Sequence, residues 1–197
     1  MISYTLTQTA DVKEYLNISS ATYDALFEKL VYGVSEYLQS YLGGRSLEEA
    51  EYTEYYDGDG SNLLLLRQFP VASVTSLSYK SGTNTSPIWN LIDPNNYNVD
   101  TRSGIIKNAP LPGGTQNIKV VYTAGYKIDF PNRYTTANHT LPHDLWMIAT
   151  QLVAKVFDTR FSQGKINESV EGQSVNWTFS LTDEMKSSLS RYSQGRI

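Results

Sequence analysis

The stretch from Ser20 to Leu42 is the sequence feature that most constrains how this chain folds. Its large apolar residues recur at steps of three and four, a spacing that predicts one stripe along an α-helix. Ser19 or Ser20 is a suitable cap for the first turn, and Gly43-Gly44 supplies a left-handed stop. Such a helix spans about 34 Å. The stripe consists of Tyr23, Leu26, Phe27, Leu30, Val31, Val34, Tyr37, Leu38 and Tyr41.

Two other segments have a helical pattern. Residues 7–16 predict a short first helix, capped by Thr9, with Val12, Tyr15 and Leu16 facing inward. Pro142 is expected to open a second long helix. Because both long helices have an apolar side, we expect them to pack against each other. The second stripe consists of Leu145, Ile148, Ala149, Leu152, Val153, Val156 and Phe157.

The segment between these helices has the alternation and turn residues of strands. Val71 to Tyr79 alternates apolar and polar residues, as a half-buried strand does. Asp57-Gly-Asp-Gly is typical of a tight hairpin turn, and residues 80–87 form a polar stretch that predicts a loop. We therefore predict a small antiparallel β-module over about residues 50–127.

The C-terminal segment has a different character. Val175, Trp177 and Phe179 alternate with polar residues, and Thr182 begins a short helix with Met185 and Leu189 on one side. We predict an α+β protein with a helical body, a central antiparallel β-module and an extended C-terminal arm. The body comprises residues 1–164, and the arm, which we expect to lie outside the main core, comprises residues 165–197.

Composition excludes several classes of protein. The chain has 197 residues, 40% hydrophobic, and no cysteine, so disulfides, thiolate catalysis and cysteine-ligated zinc are excluded. It has no apolar run long enough to predict a membrane span and no secretory signal pattern at its start. Residues 1–60 hold eleven acids and three bases in a chain of net charge −4. This acidic first third disfavours tight binding to a phosphate backbone.

Candidate sites for chemistry are weak. His139, His143 and Asp144 resemble part of a metal-ligand cluster, but Pro142 separates the two histidines, which are the only ones in the chain. Asp57-Gly-Asp-Gly-Ser resembles the start of a calcium loop, but Gln68 stands where such a loop needs its bidentate Glu. We found no nucleophile elbow, phosphate-binding loop or dinucleotide fingerprint. We therefore expect no cofactor, no metal and no enzymatic activity.

Six segments follow one another in a recognisable order: Val12-Lys-Glu-Tyr-Leu, Tyr37-Leu-Gln-Ser-Tyr-Leu-Gly, Tyr55-Tyr-Asp-Gly-Asp-Gly-Ser-Asn-Leu-Leu-Leu-Leu, Phe69-Pro-Val-Ala-Ser-Val-Thr-Ser-Leu, Ile118-Lys-Val-Val-Tyr-Thr-Ala-Gly-Tyr and Leu141-Pro-His-Asp-Leu. This order of segments, over about residues 5–160, resembles the head–tail adaptor (connector) proteins of long-tailed bacteriophages. This chain departs from the shorter members in its longer β-region near 80–115.

The resemblance implies a structural protein of the virion neck, present in the host cytoplasm during assembly. It implies a homo-oligomeric, dodecameric ring that binds beneath the portal protein, extends the DNA channel and provides the docking site for a stopper or tail-completion protein. DNA would pass through this channel without sequence-specific binding, and no membrane would be involved.

The residues suggest where such contacts would form. A ring subunit needs two different adhesive surfaces, and the C-terminal segment is a candidate because it is too short to bury its own apolar side. Its predicted docking residues for portal or neighbour are Trp177, Phe179, Met185, Leu189, Arg191, Tyr192 and Arg196. An acidic lumen would let DNA slide, and the candidates for it are Glu48, Glu49, Glu51 and Glu54.

Two other functions remain open from the sequence. A carbohydrate-binding or other virion surface module would present Trp89, Tyr97 and nearby aromatic residues of the β-region to glycans. A small hydrolase would use Asp57, Asp59 and His143. A glycan array tests the first alternative, and substitution of the three residues tests the second.

Overall fold

A computed structural model describes residues 4–83, 86–134, 138–160, 167–170, 173–176 and 181–193. The predicted α+β class is confirmed. The order along the chain is α1 (Thr9–Tyr15), α2 (Asp24–Tyr41), β1 (Ala50–Gly58), β2 (Leu63–Leu65), β3 (Val71–Thr83), β4 (Ser86–Leu91), β5 (Asn98–Asp100), β6 (Ile105–Lys107), β7 (Gly114–Ala124), α3 (His143–Thr159), β8 (Asn167–Val170), β9 (Gln173–Asn176) and α4 (Asp183–Leu189). The chain forms two compact units, residues 1–44 with 128–197 and residues 45–127.

The helical unit is built around α3, which contacts α1, α2 and α4. As predicted, α2 and α3 pack through their apolar stripes, and the rings of Phe27 and Phe157 lie 4.5 Å apart. Both phenylalanines are buried, as are Val31 and Leu38 on α2 and Leu152 on α3. The predicted stop is also confirmed, because Gly43 and Gly44 follow the helix with φ of 93° and 75°.

The helix starts differ from the predicted caps. Helix α2 begins at Asp24, and the residue before it makes no side-chain cap. The Ser20 hydroxyl instead accepts a hydrogen bond from the Thr22 amide at 3.2 Å, so it stabilises a local turn. Thr9 is the first residue of α1 rather than its cap. Tyr15, predicted to face inward, is 52% exposed, because the part of α1 that packs inside is Asp11 and Val12.

The β-unit contains two antiparallel sheets. Their strand orders are β1-β7-β3-β4 and β2-β6-β5. One apolar cluster holds the unit together; it consists of Tyr56, Leu64, Leu66, Val71, Leu77, Ile92, Ile106, Ala109, Leu111, Ile118, Val120, Tyr122 and Ala124. The predicted antiparallel β-module is therefore present, although its strand pairing is mostly not between sequence neighbours.

Two local predictions in this unit are wrong. The Asp57-Gly-Asp-Gly turn does not join paired strands, because β1 pairs with β7 and β2 pairs with β6. Asp59 Oδ1 accepts from the Ser61 amide at 2.8 Å, which turns the chain from one sheet to the other. The predicted polar loop over 80–87 instead continues as paired strand, with Thr83 opposite Ser86. The sequence pattern does not predict this hairpin, because neither of its faces is fully buried there and its residues therefore do not alternate between apolar and polar.

The C-terminal segment also differs from the predicted detached arm. Helix α4 contacts α3, and Leu181 and Leu189 are buried. Tyr192 Oη donates to Asp144 Oδ1 in the first turn of α3 at 2.5 Å. Residues 181–193 therefore belong to the helical unit, because their apolar side finds partners within the same chain. Trp177, Phe179 and Arg196 lie outside the described residues. Among the described helices, none has the length and apolarity required to cross a bilayer.

The contact between the aromatic rings of Phe27 and Phe157 leads to a prediction on stability. Phe157→Ala should lower the free energy of unfolding by about 3–5 kcal/mol, because it removes a buried aromatic ring and leaves a cavity beside Phe27. Urea denaturation followed by circular dichroism measures this change. The matched control is Tyr32→Ala on the exposed side of α2, where 41% of the residue is accessible and the expected change is within about 0.5 kcal/mol. Equal losses in the two variants would contradict the proposed packing.

Candidate functional site

The four acidic residues predicted to line a channel do not form one row. Glu51 and Glu54 lie on opposite sides of β1, because strand side chains alternate. Glu51 is exposed on the outer side, whereas the side chain of Glu54 is only 13% exposed on the inner side. Glu48 and Glu49 precede β1 and are half-buried; there the Glu49 amide donates to the Tyr126 carbonyl at 2.9 Å.

Glu54 is held by two tyrosine hydroxyls. Tyr122 Oη donates to Glu54 Oε2 at 2.7 Å, and Tyr56 Oη donates to the same oxygen. Each hydroxyl also accepts a hydrogen bond from a backbone amide: Tyr56 Oη from Arg67 at 3.0 Å, and Tyr122 Oη from Gln68 at 3.1 Å. The carboxylate therefore anchors the chain that leaves β2. It serves the packing of the β-unit rather than the surface.

Burial and the hydrogen bonds to Glu54 raise the pKa of Tyr56 and of Tyr122 well above the ordinary tyrosine range. Both phenols therefore remain protonated donors over the whole physiological range. Since the unfolded chain ionises its tyrosines near pH 10, stability from this pair is full below that pH and is lost as the pH rises further.

This network predicts the effect of removing one hydroxyl. Tyr122→Phe should lower the free energy of unfolding by about 1–3 kcal/mol, because the Gln68 amide loses its acceptor and Glu54 loses a donor. Tyr52→Phe is the control, since its ring packs on Tyr122 at 5.7 Å and no hydrogen bond of its hydroxyl is found within the described ranges. The control should change stability by less than about 0.5 kcal/mol. Chemical denaturation measures both, and a neutral Tyr122→Phe would refute the network's role.

The predicted docking residues of the C-terminal segment are distributed over different environments. Leu189 has no exposed surface and belongs to the core of its own helical unit. Met185 and Tyr192 are half-buried, and Arg191 is exposed. A partner could therefore contact Arg191 and parts of Met185 and Tyr192, but not Leu189. Sequence reasoning missed this division because an apolar stripe does not show which chain covers it.

The histidines and their neighbours form a structural cluster. The buried Asp11 accepts from Trp146 Nε1 at 3.0 Å and lies 3.2 Å from Arg133 Nη2, so it ties α1 to α3 and to the segment before it. His139 is buried, and its Nδ1 accepts from the Asp129 amide at 3.0 Å. Among the described residues, no group of three or more His, Cys, Asp or Glu is arranged to hold a metal ion.

His139 gives the helical unit a pH dependence. Burial lowers the pKa of His139, so the folded chain binds fewer protons than the unfolded chain as the pH falls below about 6.5. Stability should therefore be full above that pH and fall below it, by at most about 1.4 kcal/mol per pH unit. Unfolding midpoints measured between pH 5.5 and 7.5 test this expectation.

The matched variants for this measurement are His139→Asn and His143→Gln. His139→Asn should flatten the slope below pH 6.5 whatever its effect at neutral pH, whereas His143→Gln, at an exposed position, should retain it. An unchanged slope in His139→Asn would show that other groups cause the pH dependence.

The residues of the two alternative functions are used in packing and turns. Asp57 Oδ1 accepts from the Gln116 amide at 2.6 Å, which holds the end of β1 beside the start of β7. His143 lies in the helical unit at the start of α3. Trp89 packs on Tyr55 with ring centroids 5.6 Å apart, and Tyr97 packs against the apolar cluster of the β-unit. These contacts give Asp57, Trp89 and Tyr97 structural roles within the β-unit.

Comparison with solved structures shows the same fold in a group of particle proteins. A chain from the neck of an empty gene transfer agent (GTA) particle, computed with C6 symmetry, matches with a TM-score of 0.58 at 15% identity, covering 95% of this chain and 89% of that chain. A chain from the neck of the native GTA particle, computed with C12 symmetry, matches with a TM-score of 0.57 at 15% identity, covering 95% and 88%. A chain from the virion of the native GTA particle gives a TM-score of 0.56 at 13% identity, covering 95% and 89%.

A search of curated proteins gave no significant match. A sequence model of the head completion protein family, however, matches residues 5–183. The match spans α1, α2, the whole β-unit and α3, and it ends at the first residue of α4. The chain therefore belongs to the head completion protein family.

Proposed function

We propose that this protein is a head–tail adaptor of the virion neck. Copies of the chain form a ring beneath the portal protein, extend the DNA channel and provide the docking site for a stopper or tail-completion protein. The observation that carries this proposal is the family match over residues 5–183, because it includes the segments of both compact units.

The fold comparisons support a ring. The chains of similar fold come from necks computed with C6 and C12 symmetry. A cyclic ring is built from heterologous contacts, in which one surface of each subunit meets a different surface of the next. A subunit of this kind therefore needs at least two exposed and dissimilar surfaces, and the described residues of this chain provide them in Arg191 beyond α4 and in the edges of the β-unit.

The proposed channel surface is smaller than the sequence predicts. Glu51 is exposed and projects from the outer side of β1, so it can face DNA, and the half-buried Glu48 and Glu49 lie beside it in the chain. Negative charge repels the phosphate backbone and keeps DNA from binding during passage. We exclude Glu54 from this surface, because two tyrosine hydroxyls already bind its carboxylate.

The proposed portal contact uses the exposed part of the C-terminal segment. Arg191 follows α4, which is fixed on α3 by the buried Leu181 and Leu189. An exposed arginine on a fixed helix end can pair with a carboxylate of another protein without first ordering its own backbone. The hydrogen bonds that Asp57 and Asp59 accept from backbone amides also suit a structural rather than a catalytic role for these two residues.

This proposal predicts that charge reversal at Arg191 weakens attachment to the portal. Arg191→Glu should reduce binding to portal-bearing, DNA-filled heads at least tenfold, because a repulsive contact replaces a charge-assisted one. Its melting temperature should match that of the wild type, since Arg191 is exposed. Sedimentation of heads with bound adaptor measures the loss.

Arg102→Glu is the matched control, because Arg102 is also exposed but lies in the β-unit. It should bind heads as the wild type does. A point variant is sharper here than deletion of residues 170–197, because deletion also removes two leucines from the core. Wild-type protein that fails to join portal-bearing heads would overturn the adaptor function itself, whereas normal binding by Arg191→Glu would overturn only this docking site.

A further inference from the structure

The β3–β4 hairpin extends beyond the sheet to which it belongs. Strand β3 pairs with β7 only as far as Tyr79, opposite Ile118. From Lys80 to Thr83 it pairs with β4 alone. Strand β7 leaves the ladder at this point because the side chain of Asn117 bonds to the Gly58 amide and the Pro112 carbonyl, both at 2.8 Å. The end of the hairpin is thus a two-stranded ribbon, a structure that is marginal in water without further contacts.

Of the features that usually protect an edge strand, β4 has only a proline near its start. Its sequence has no charged residue, and it lies at the end of the four-stranded sheet. Ile88 and Leu91 are 58% and 67% exposed, more than any other large aliphatic side chain in the described ranges. They lie on opposite faces because they are three residues apart. Pro87 removes one amide donor near the tip, so the stretch from Ile88 to Leu91 is the open edge.

The opposite edge of the same sheet is chemically different. Strand β1 carries Glu51, Glu54 and Asp57 and no basic residue. In the later part of this strand, the Tyr55 carbonyl already accepts a hydrogen bond from Arg67 Nη2 at 3.2 Å. The earlier part, from Ala50 to Thr53, has exposed side chains at Ala50, Glu51 and Thr53. The ribbon, in contrast, has Lys80 as its one charged residue among those described.

We propose that β4 of one copy pairs with the first half of β1 of the next copy, so that the sheet continues from subunit to subunit. This inference rests on the proposed ring and assigns one of its contacts. Successive strands of the sheet are antiparallel, so β1 and β3 run in one direction and β7 and β4 in the other. A second copy displaced along the sheet without reversal presents its β1 antiparallel to β4, which gives the more stable type of ladder.

The two edges favour this pairing over contacts between like edges. A contact of β1 with β1 would bring the acidic residues of both copies together, which is unfavourable across a ladder. A contact of β4 with β4 would form a two-fold dimer and leave both β1 edges unpaired. Pairing of β4 with β1 satisfies both edges and is heterologous, so it can repeat until a ring closes.

Photo-crosslinking of the full-length protein tests which segment of a second copy lies beside β4. Ile88 is replaced by p-benzoylphenylalanine, the purified protein is irradiated, and the covalent two-chain band is digested with trypsin. Strand β1 lies whole within one tryptic peptide, Ser46 to Arg67. We expect the crosslink to join position 88 to residues 50–53 of this peptide. The same substitution at Tyr134, which is 77% exposed in the helical unit, is the control and should not give this product.

Each other result overturns the assignment. A crosslink to Ser81–Arg102 of the second chain would indicate β4 pairing with itself, and a crosslink elsewhere would indicate a different occupant. Absence of a two-chain band up to the solubility limit of the protein would show that no second copy covers β4. None of these results affects binding of the protein to portal-bearing heads, so the adaptor function is tested separately.

Two variants of opposite charge at position 88 test whether the strand that pairs with β4 is the acidic β1. Ile88→Asp should weaken self-association about tenfold more than Ile88→Lys, because the added carboxylate meets the acids of β1 and the added ammonium does not. Sedimentation velocity measures both, with unchanged melting temperatures as the check on folding. Equal weakening by the two variants, or weaker association of the Lys variant, would contradict pairing with β1.

Discussion

The contact between α2 and α3 is the constraint on which the helical unit depends. Phe27 and Phe157 pack at 4.5 Å although the whole β-unit lies between them in the sequence. The entropy cost of closing such a long loop grows only slowly with its length, so the buried seam can tolerate a folded insertion. Helices α1 and α4 then add to this seam through contacts with α3.

The helical part of the fold could be predicted from the sequence because its signals are local. Steps of three and four along α2 and α3 identify their apolar sides, and Gly43-Gly44 marks the end of α2. The start of α2 could not be predicted, since Ser20 is as suitable for a turn as for a cap, and only the surrounding chain selects between them. The packing of α4 was missed for a similar reason: a stripe ending in Leu189 does not specify the chain that buries it.

The β-unit could be predicted in kind but not in pairing. Alternation identified much of β3, yet β1 pairs with β7 across more than fifty intervening residues, and Asp-Gly occurs in a turn between sheets. The role of Glu54 was also beyond reach of the sequence. Tyr56 lies two residues from Glu54 on β1, but Tyr122 reaches it from β7, and only the pairing of these two strands makes Glu54 a buried acceptor for both hydroxyls.

Glu51 and Glu54 lie on opposite faces of β1, and this arrangement lets one strand make several kinds of contact. Side chains leave a strand alternately to its two faces, whereas its amides and carbonyls point along the sheet. Tyr122 and Tyr56 can therefore hold Glu54 on the inner face while Glu51 stays exposed on the outer face. Because backbone pairing at the edge uses neither face, a neighbouring copy can bind β1 without neutralising Glu51. The same short strand can thus contribute to the core, to a subunit contact and to an acidic surface.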